Sequence, residues 1–132
     1  MVVHCHGSAN VQPGGPFLQS DSFDILIIGA GISGIGVACR LARRFPDRRI
    51  GIIERRKAIG GTWDLHRYPG IRSDSDMYTM GYRFAPWSGG PPIADGASIR
   101  AYIENTARAT GPKGGTGFGA RLLARAVQIL VS

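Results

Sequence analysis

Three glycines in Gly29-Ala30-Gly31-Ile32-Ser33-Gly34, with Glu54 twenty positions beyond the last of them, have the types and spacing to hold a dinucleotide. Gly29 lets the chain leave a strand in a tight turn, Gly31 has no side chain to hold a pyrophosphate off the main chain, and Gly34 lets a new helix pack close to a sheet. The anion then rests on the unpaired N–H groups of the helix start, where the macrodipole also favours negative charge. Ser33, in that first turn, adds a hydroxyl or its own N–H. Glu54 would accept both hydroxyls of an adenosine ribose, and its charge would repel the 2′-phosphate of NADP, so the site suits NAD or FAD. Arg55, Arg56 and Lys57 follow directly; they read as exposed charges beyond a strand, with service to a 2′-phosphate as the alternative.

Positioning these residues takes a strand, a helix and a second, parallel strand. Ile25 to Ile28 is too short and too β-branched for a helix and reads as a buried parallel strand. From Ile32 to Phe45, the spacing of Ile35, Ala38, Leu41, Ala42 and Phe45 makes one apolar stripe, with Arg40, Arg43 and Arg44 on the remainder, and Pro46 stops the helix. A second apolar run, Ile50 to Ile53, delivers Glu54 to its carboxyl end. Glycine is common in this chain, 20 of 132 residues, so the triplet alone would be weak evidence. The surrounding strand, helix, strand and acid supply the context that a dinucleotide fingerprint requires, and the fold class is α/β, a Rossmann-like βαβ unit.

The next segment is more specific. It reads Gly60-Gly61-Thr62-Trp63-Asp64-Leu65, then Arg67-Tyr68-Pro69-Gly70-Ile71-Arg72-Ser73-Asp74-Ser75-Asp76-Met77-Tyr78, continuing through Gly81-Tyr82-Arg83-Phe84 to Pro86-Trp87. It resembles the flavin-binding region of Baeyer-Villiger and flavin-containing monooxygenases, most of all the mycobacterial ethionamide-activating type. The resemblance runs from about Phe23 to Glu104. It implies FAD as the cofactor, with Gly29, Gly31, Ser33 and Gly34 at the pyrophosphate, Glu54 at the adenosine ribose, and Gly61, Thr62, Trp63, Asp64 and Leu65 along the riboflavin. Arg72, Ser73 and Asp74 match the stretch that approaches both flavin and nicotinamide nucleotide. In that family NADPH reduces the flavin, which then uses oxygen to oxygenate a ketone or a soft sulfur. A buried Asp74 would need a partner, and Arg72 is the obvious candidate. The aromatic residues Tyr68, Tyr78, Tyr82, Phe84 and Trp87 read as packing groups.

Residues 1–21 read as a loose leader without the basic start and apolar run of a secretory signal. Residues 22–109 form the FAD-binding region, with a last helix from Ala97 to Ala109 presenting Ile99, Tyr102 and Ile103 on one face. Residues 110–132 depart from the family: glycine-rich at first, then a basic and apolar tail in which Ala120 to Val131, with Arg121 and Arg125 four apart, has the spacing of a short basic helix but is expected to be poorly ordered. All 9 acidic residues precede Asn105, a composition shift expected from an altered reading frame or a truncation near Ala109.

The formal charge of +7 and the basic cluster from Arg40 to Lys57 invite nucleic acid, yet no nucleic-acid motif accompanies them. The apolar tail is short of the roughly 20 residues a membrane span needs. His4, Cys5 and His6 have no second ligand pair, so no metal is expected, and two cysteines without a disulfide framework suit a reducing cytoplasm.

After Glu104 the sequence holds neither a second glycine-rich βαβ unit for NADPH nor the family's further signature of Phe, Gly, His and Trp. The expected function is the FAD-binding N-terminal portion of an NADPH- and O2-dependent monooxygenase, inactive alone, with a small-molecule ketone or sulfur-containing substrate. The alternative is a non-catalytic nucleotide-binding fragment, a pseudogene product or a chain whose site another chain completes. A colourless protein that binds NAD and excludes FAD would point instead to a dehydrogenase fragment. With only two legible strands, the half-site is expected to fold weakly.

Overall fold

A computed structural model describes residues 2–4, 23–88 and 90–110, the first of these segments as backbone only. The metal-tempting His4-Cys5-His6 side chains and the tail from 111 onward lie outside the described residues, as do 5–22.

Ile25–Ile28 (β2) and Ile50–Ile53 (β3) pair in parallel, Ile25 opposite Ile50 and Ile28 opposite Ile53. Between them runs the helix Ile32–Arg44 (α1). A third strand lies within the segment 1–21 that reads as a loose leader, most of which is outside the described residues. Val2–His4 (β1) pairs antiparallel on the other edge of β2, with Val2 opposite Ile27, giving the sheet order β1-β2-β3. Three residues carry too little pattern to announce a strand; the waiting edge of β2 decides their conformation.

The core lies between the sheet and two helices. Ile27, Ile35, Ile52, Met77, Ile99 and Ile103 are each no more than 2% exposed. The expected apolar stripe of α1 is turned slightly: Cys39 joins Ile35 and Ala38 in the interior, and Phe45 leaves it. Phe45 is the C-cap, its N–H donating to the Leu41 carbonyl at 2.7 Å while its ring stands 45% exposed. Burial pushes the Cys39 thiol above its ordinary pKa, which leaves it an inert packing group.

The last helix, Gly96–Thr110 (α4), starts one residue before the expected Ala97, packs against α1 and buries Ile99, Ile103 and Ala107. Asp95 opens it, accepting from the Ser98 N–H at 2.9 Å and from the Ser98 hydroxyl at 2.6 Å. Two four-residue helices sit between β3 and α4: Thr62–Leu65 (α2) and Met77–Met80 (α3), the latter capped by Asp76 through the Thr79 N–H. Asp76 is therefore a cap rather than a loose surface charge.

Aromatic residues hold α4 to α1. Tyr82 stacks on Phe84 with centroids 5.0 Å apart and on Tyr102 at 5.4 Å, and its hydroxyl donates to the Ile32 carbonyl in α1. Its ring fills the space that a Cβ at Gly36 would need, 2.7 Å away, so this second glycine of α1 serves packing. The Tyr102 hydroxyl accepts from the Tyr82 N–H and donates to the Ala85 carbonyl, both at 2.7 Å. Tyr102→Phe strands two backbone groups in a half-buried place, and the expected loss is about 1–3 kcal/mol, readable as a shift of the urea midpoint at unchanged slope.

The basic run of the sequence is dispersed. Arg43 lies over the Phe84 ring, Arg44 over Phe45 and Arg49 over Phe23, while Arg48 reaches Asp24 at 3.4 Å. Among the described residues no helix is long and apolar enough to cross a membrane, and no cluster of His, Cys, Asp and Glu could hold a metal ion.

Candidate nucleotide-binding crevice

The glycine turn sits at the junction of β2 and α1. Gly29 has φ 99°, which side chains avoid, and its N–H donates to the Ile53 carbonyl at 2.7 Å, continuing the ladder into the turn. A Cβ on Gly34 would stand 1.9 Å from the Gly29 carbonyl oxygen, so helix and turn touch only because residue 34 is bare. No side chain caps α1, and its first turn contains no acidic residue. The helix start therefore offers its N–H groups and positive dipole end to an anion, and exposed Ser33 stands on that turn.

Glu54 closes the junction from β3. The carboxylate is 8% exposed; one oxygen accepts from the Ala30 N–H at 2.8 Å and the other from the Arg56 N–H at 2.9 Å. A carboxylate offers about four acceptor sites, so two remain for hydroxyl donors.

The second wall is the turn Gly60-Gly61 and α2. The Gly60 N–H donates to the Ala30 carbonyl at 2.9 Å. Gly60 and Gly61 have φ of 124° and 57°, and a Cβ on Gly61 would lie 2.8 Å from the Gly31 Cα. Gly61 thus has a steric reason to be bare, since it faces Gly31 across the crevice. The spacing of the first triplet could not show this.

Behind that wall lies a charge cluster. Asp64, 5% exposed, binds Arg56 at 2.7 Å and Arg100 of α4 at 3.2 Å, and also pairs with Arg67. The hydrogen bond from Arg67, with help from Arg100 and the charge of Arg56, holds its carboxyl below the usual aspartate range. Arg56, expected as an exposed charge, is half-buried, and its guanidinium is spent on the Gly61 carbonyl at 3.1 Å and on Asp64. It is not free for a 2′-phosphate. Two clefts, of about 440 and 480 Å³, open against α4, and neither is lined by the glycine turn or Glu54.

Comparison with known proteins places this arrangement. A profile for an NAD(P)-binding Rossmann-like domain matches residues 27–86. The putative FAD-containing monooxygenase MymA of Mycobacterium tuberculosis is 61% identical over 89 residues, 67% of this chain and 18% of that protein. The FAD-containing monooxygenase EthA of Mycolicibacterium smegmatis is 55% identical over 93 residues, 70% of this chain and 19% of that one. Among solved structures, an OTEMO complex with FAD and NADP superposes with a TM-score of 0.58 at 30% identity, covering 67% of this chain and 17% of that chain. An oxidized steroid monooxygenase bound to NADP gives 0.57 at 30% identity, covering 64% and 17%. Over the residues matched, the chain corresponds to part of the FAD-containing and Baeyer-Villiger monooxygenases. It spans about a fifth of the length of the curated relatives it matches.

Of the residues that resemblance to this monooxygenase family singled out, the structure brings Gly29, Gly31, Gly34, Glu54 and Gly61 together around one crevice. The others of the Gly-Thr-Trp step divide. Thr62 and Leu65 are exposed, Leu65 at 58%, whereas Trp63 packs against the core and Asp64 is turned into its arginines. The pairing of Arg72 with Asp74 does not occur. Both are exposed, no ion pair joins them, and only Ser73 between them is buried. Ser73 is tied to Ala94, its N–H donating to the carbonyl at 2.9 Å and its hydroxyl accepting from the N–H at 3.2 Å. An Arg and an Asp left in water gain little by pairing, which removes the reason for the bond. Sequence reasoning missed Arg56 and Arg100 as members of the site; their signal is the buried Asp64, whose partners lie 8 and 36 positions away.

Proposed function

We propose that this chain is the FAD-binding portion of an NADPH- and O2-dependent flavin monooxygenase. The observation that supports this best is the junction of an uncapped helix start, a bare-glycine turn and a buried carboxylate with acceptor sites to spare. These fit the group. Gly29, Gly31, Ser33 and Gly34 would hold the pyrophosphate through main-chain N–H groups and a hydroxyl, and Glu54 the adenosine ribose. Gly61, Thr62, Trp63, Asp64 and Leu65 would border the riboflavin, with Arg72, Ser73 and Asp74 beyond it toward the nicotinamide nucleotide. The bound cofactor supplies the redox and oxygen chemistry, while the chain's own residues bind, orient and exclude water. A ketone or sulfur-containing small molecule is the substrate class this reading assigns to the whole enzyme, in a reducing cytoplasm.

The choice of FAD over NADP at this first site rests on Glu54 and on the engagement of Arg56. Purified chain titrated with FAD should show a flavin absorbance spectrum shifted from that of free flavin. Glu54→Arg should weaken that binding at least tenfold, about 1.4 kcal/mol or more; unchanged affinity removes Glu54 from the ribose. NADPH oxidation by the same preparation separates a competent enzyme from a binding portion alone. A preparation that binds NAD and refuses FAD would overturn the reading.

A further inference from the structure

We propose that Arg56 is a positioning residue that sets the flavin-side wall of the crevice in register with the sugar-gripping carboxylate, an inference that rests on the FAD reading above. Arg56 touches both halves of the crevice by different parts of itself. Its backbone N–H donates to Glu54 at 2.9 Å. Its guanidinium donates to the Gly61 carbonyl at 3.1 Å and to the Asp64 carboxylate at 2.7 Å.

The need for such a brace follows from α2. Four residues cannot sustain a helix by themselves, and the N-cap, Gly61, has no side chain with which to start one. The Gly61 carbonyl accepts the first bonds of this turn, from Asp64 at 3.1 Å and Leu65 at 2.9 Å. Arg56 grips that same carbonyl and the carboxylate one turn later. The other arginines cannot replace it: Arg67 and Arg100 both bind Oδ1 of Asp64, leaving Oδ2 to Arg56. A planar fork reaches two acceptors at once; a lysine ammonium is a single compact charge.

This division separates the two halves experimentally. Contact with the sugar-side carboxylate is through the main-chain N–H and is kept by lysine and glutamine at 56, so these side-chain variants act on the flavin wall alone. Full-length wild type, Arg56→Lys and Arg56→Gln are titrated with FAD and, separately, with ADP, which needs only the glycine turn and Glu54. The expected result is FAD affinity about tenfold weaker in both variants with ADP affinity within twofold of wild type, and a changed visible circular dichroism of bound flavin.

Equal weakening of ADP and FAD, or no weakening of either, overturns the positioning role while leaving the FAD reading intact. Wild type that binds ADP and not FAD overturns both. If Arg56→Lys fails to fold, the ratio of affinities in Arg56→Gln, which keeps a donor toward Gly61, decides between the same outcomes.

Discussion

Asp64→Asn should destabilise the folded chain by about 3 kcal/mol, since removing one partner of a buried ion pair costs about 3–5 kcal/mol and the partial exposure of the arginines lowers the figure. Three guanidinium groups converge on this carboxylate, their side chains 27%, 64% and 35% exposed, and Glu104 relieves only Arg100 and Arg108. Asparagine has nearly the same shape but no charge and one acceptor oxygen, so three cations are left facing each other around a dipole. A domain of this kind holds about 5–15 kcal/mol in total, which makes the loss a large fraction.

The effect has a pH signature. The folded carboxyl is held below its ordinary value, first by the Arg67 hydrogen bond, so its contribution is full above the unfolded pKa near 3.8 and fades as pH falls through the folded value. The gap between wild type and Asp64→Asn should therefore be constant at neutral pH and narrow below about pH 4. Urea midpoints at pH 7 and pH 3 check this; a gap that is the same at both, or absent at pH 7, would count against the cluster.

Gly34→Ala is the second large effect. In an ordinary helix interior this change stabilises by about 1 kcal/mol. Here the new methyl would lie 1.9 Å from the Gly29 carbonyl oxygen, main chain that no rotamer change can move aside. Overpacking typically costs about 1–3 kcal/mol, and a backbone clash this close belongs at the top of that range, so the net sign reverses. Gly31→Ala is the informative control. Its φ of −78° suits alanine and its Cβ would meet Gly61 at an ordinary 3.5 Å, so stability should change by less than about 1 kcal/mol while nucleotide affinity falls. Thermal melts with and without FAD separate the two variants. If Gly34→Ala melts with wild type, the tight junction is not the reason for that glycine.

The separate tasks of those two glycines were legible from their places in the triplet, though the 1.9 Å approach at Gly34 was not. The βαβ unit was legible because local signals agree: β2 and β3 fall on the expected residues, and α1 ends one residue early because Pro46 cannot continue it. The strand β1 and the short helices α2 and α3 were not legible. Three or four residues show no period, and their partners are distant in the chain. The misjudged charges share one cause. Arg72 and Asp74 are neighbours in sequence and stay apart, while Asp64 joins Arg100 across 36 positions, because burial and not proximity along the chain decides which ions must pair.

The two amide bonds that hold Glu54 have a bearing on how tightly a ligand is held. Its rotamer is set by the main chain of residues 30 and 56 before any sugar arrives. Immobilising a long, free glutamate on association would oppose binding by about 0.5–1.5 kcal/mol. In this crevice that ordering was completed when the chain folded, and the carboxylate waits as a preorganised clasp.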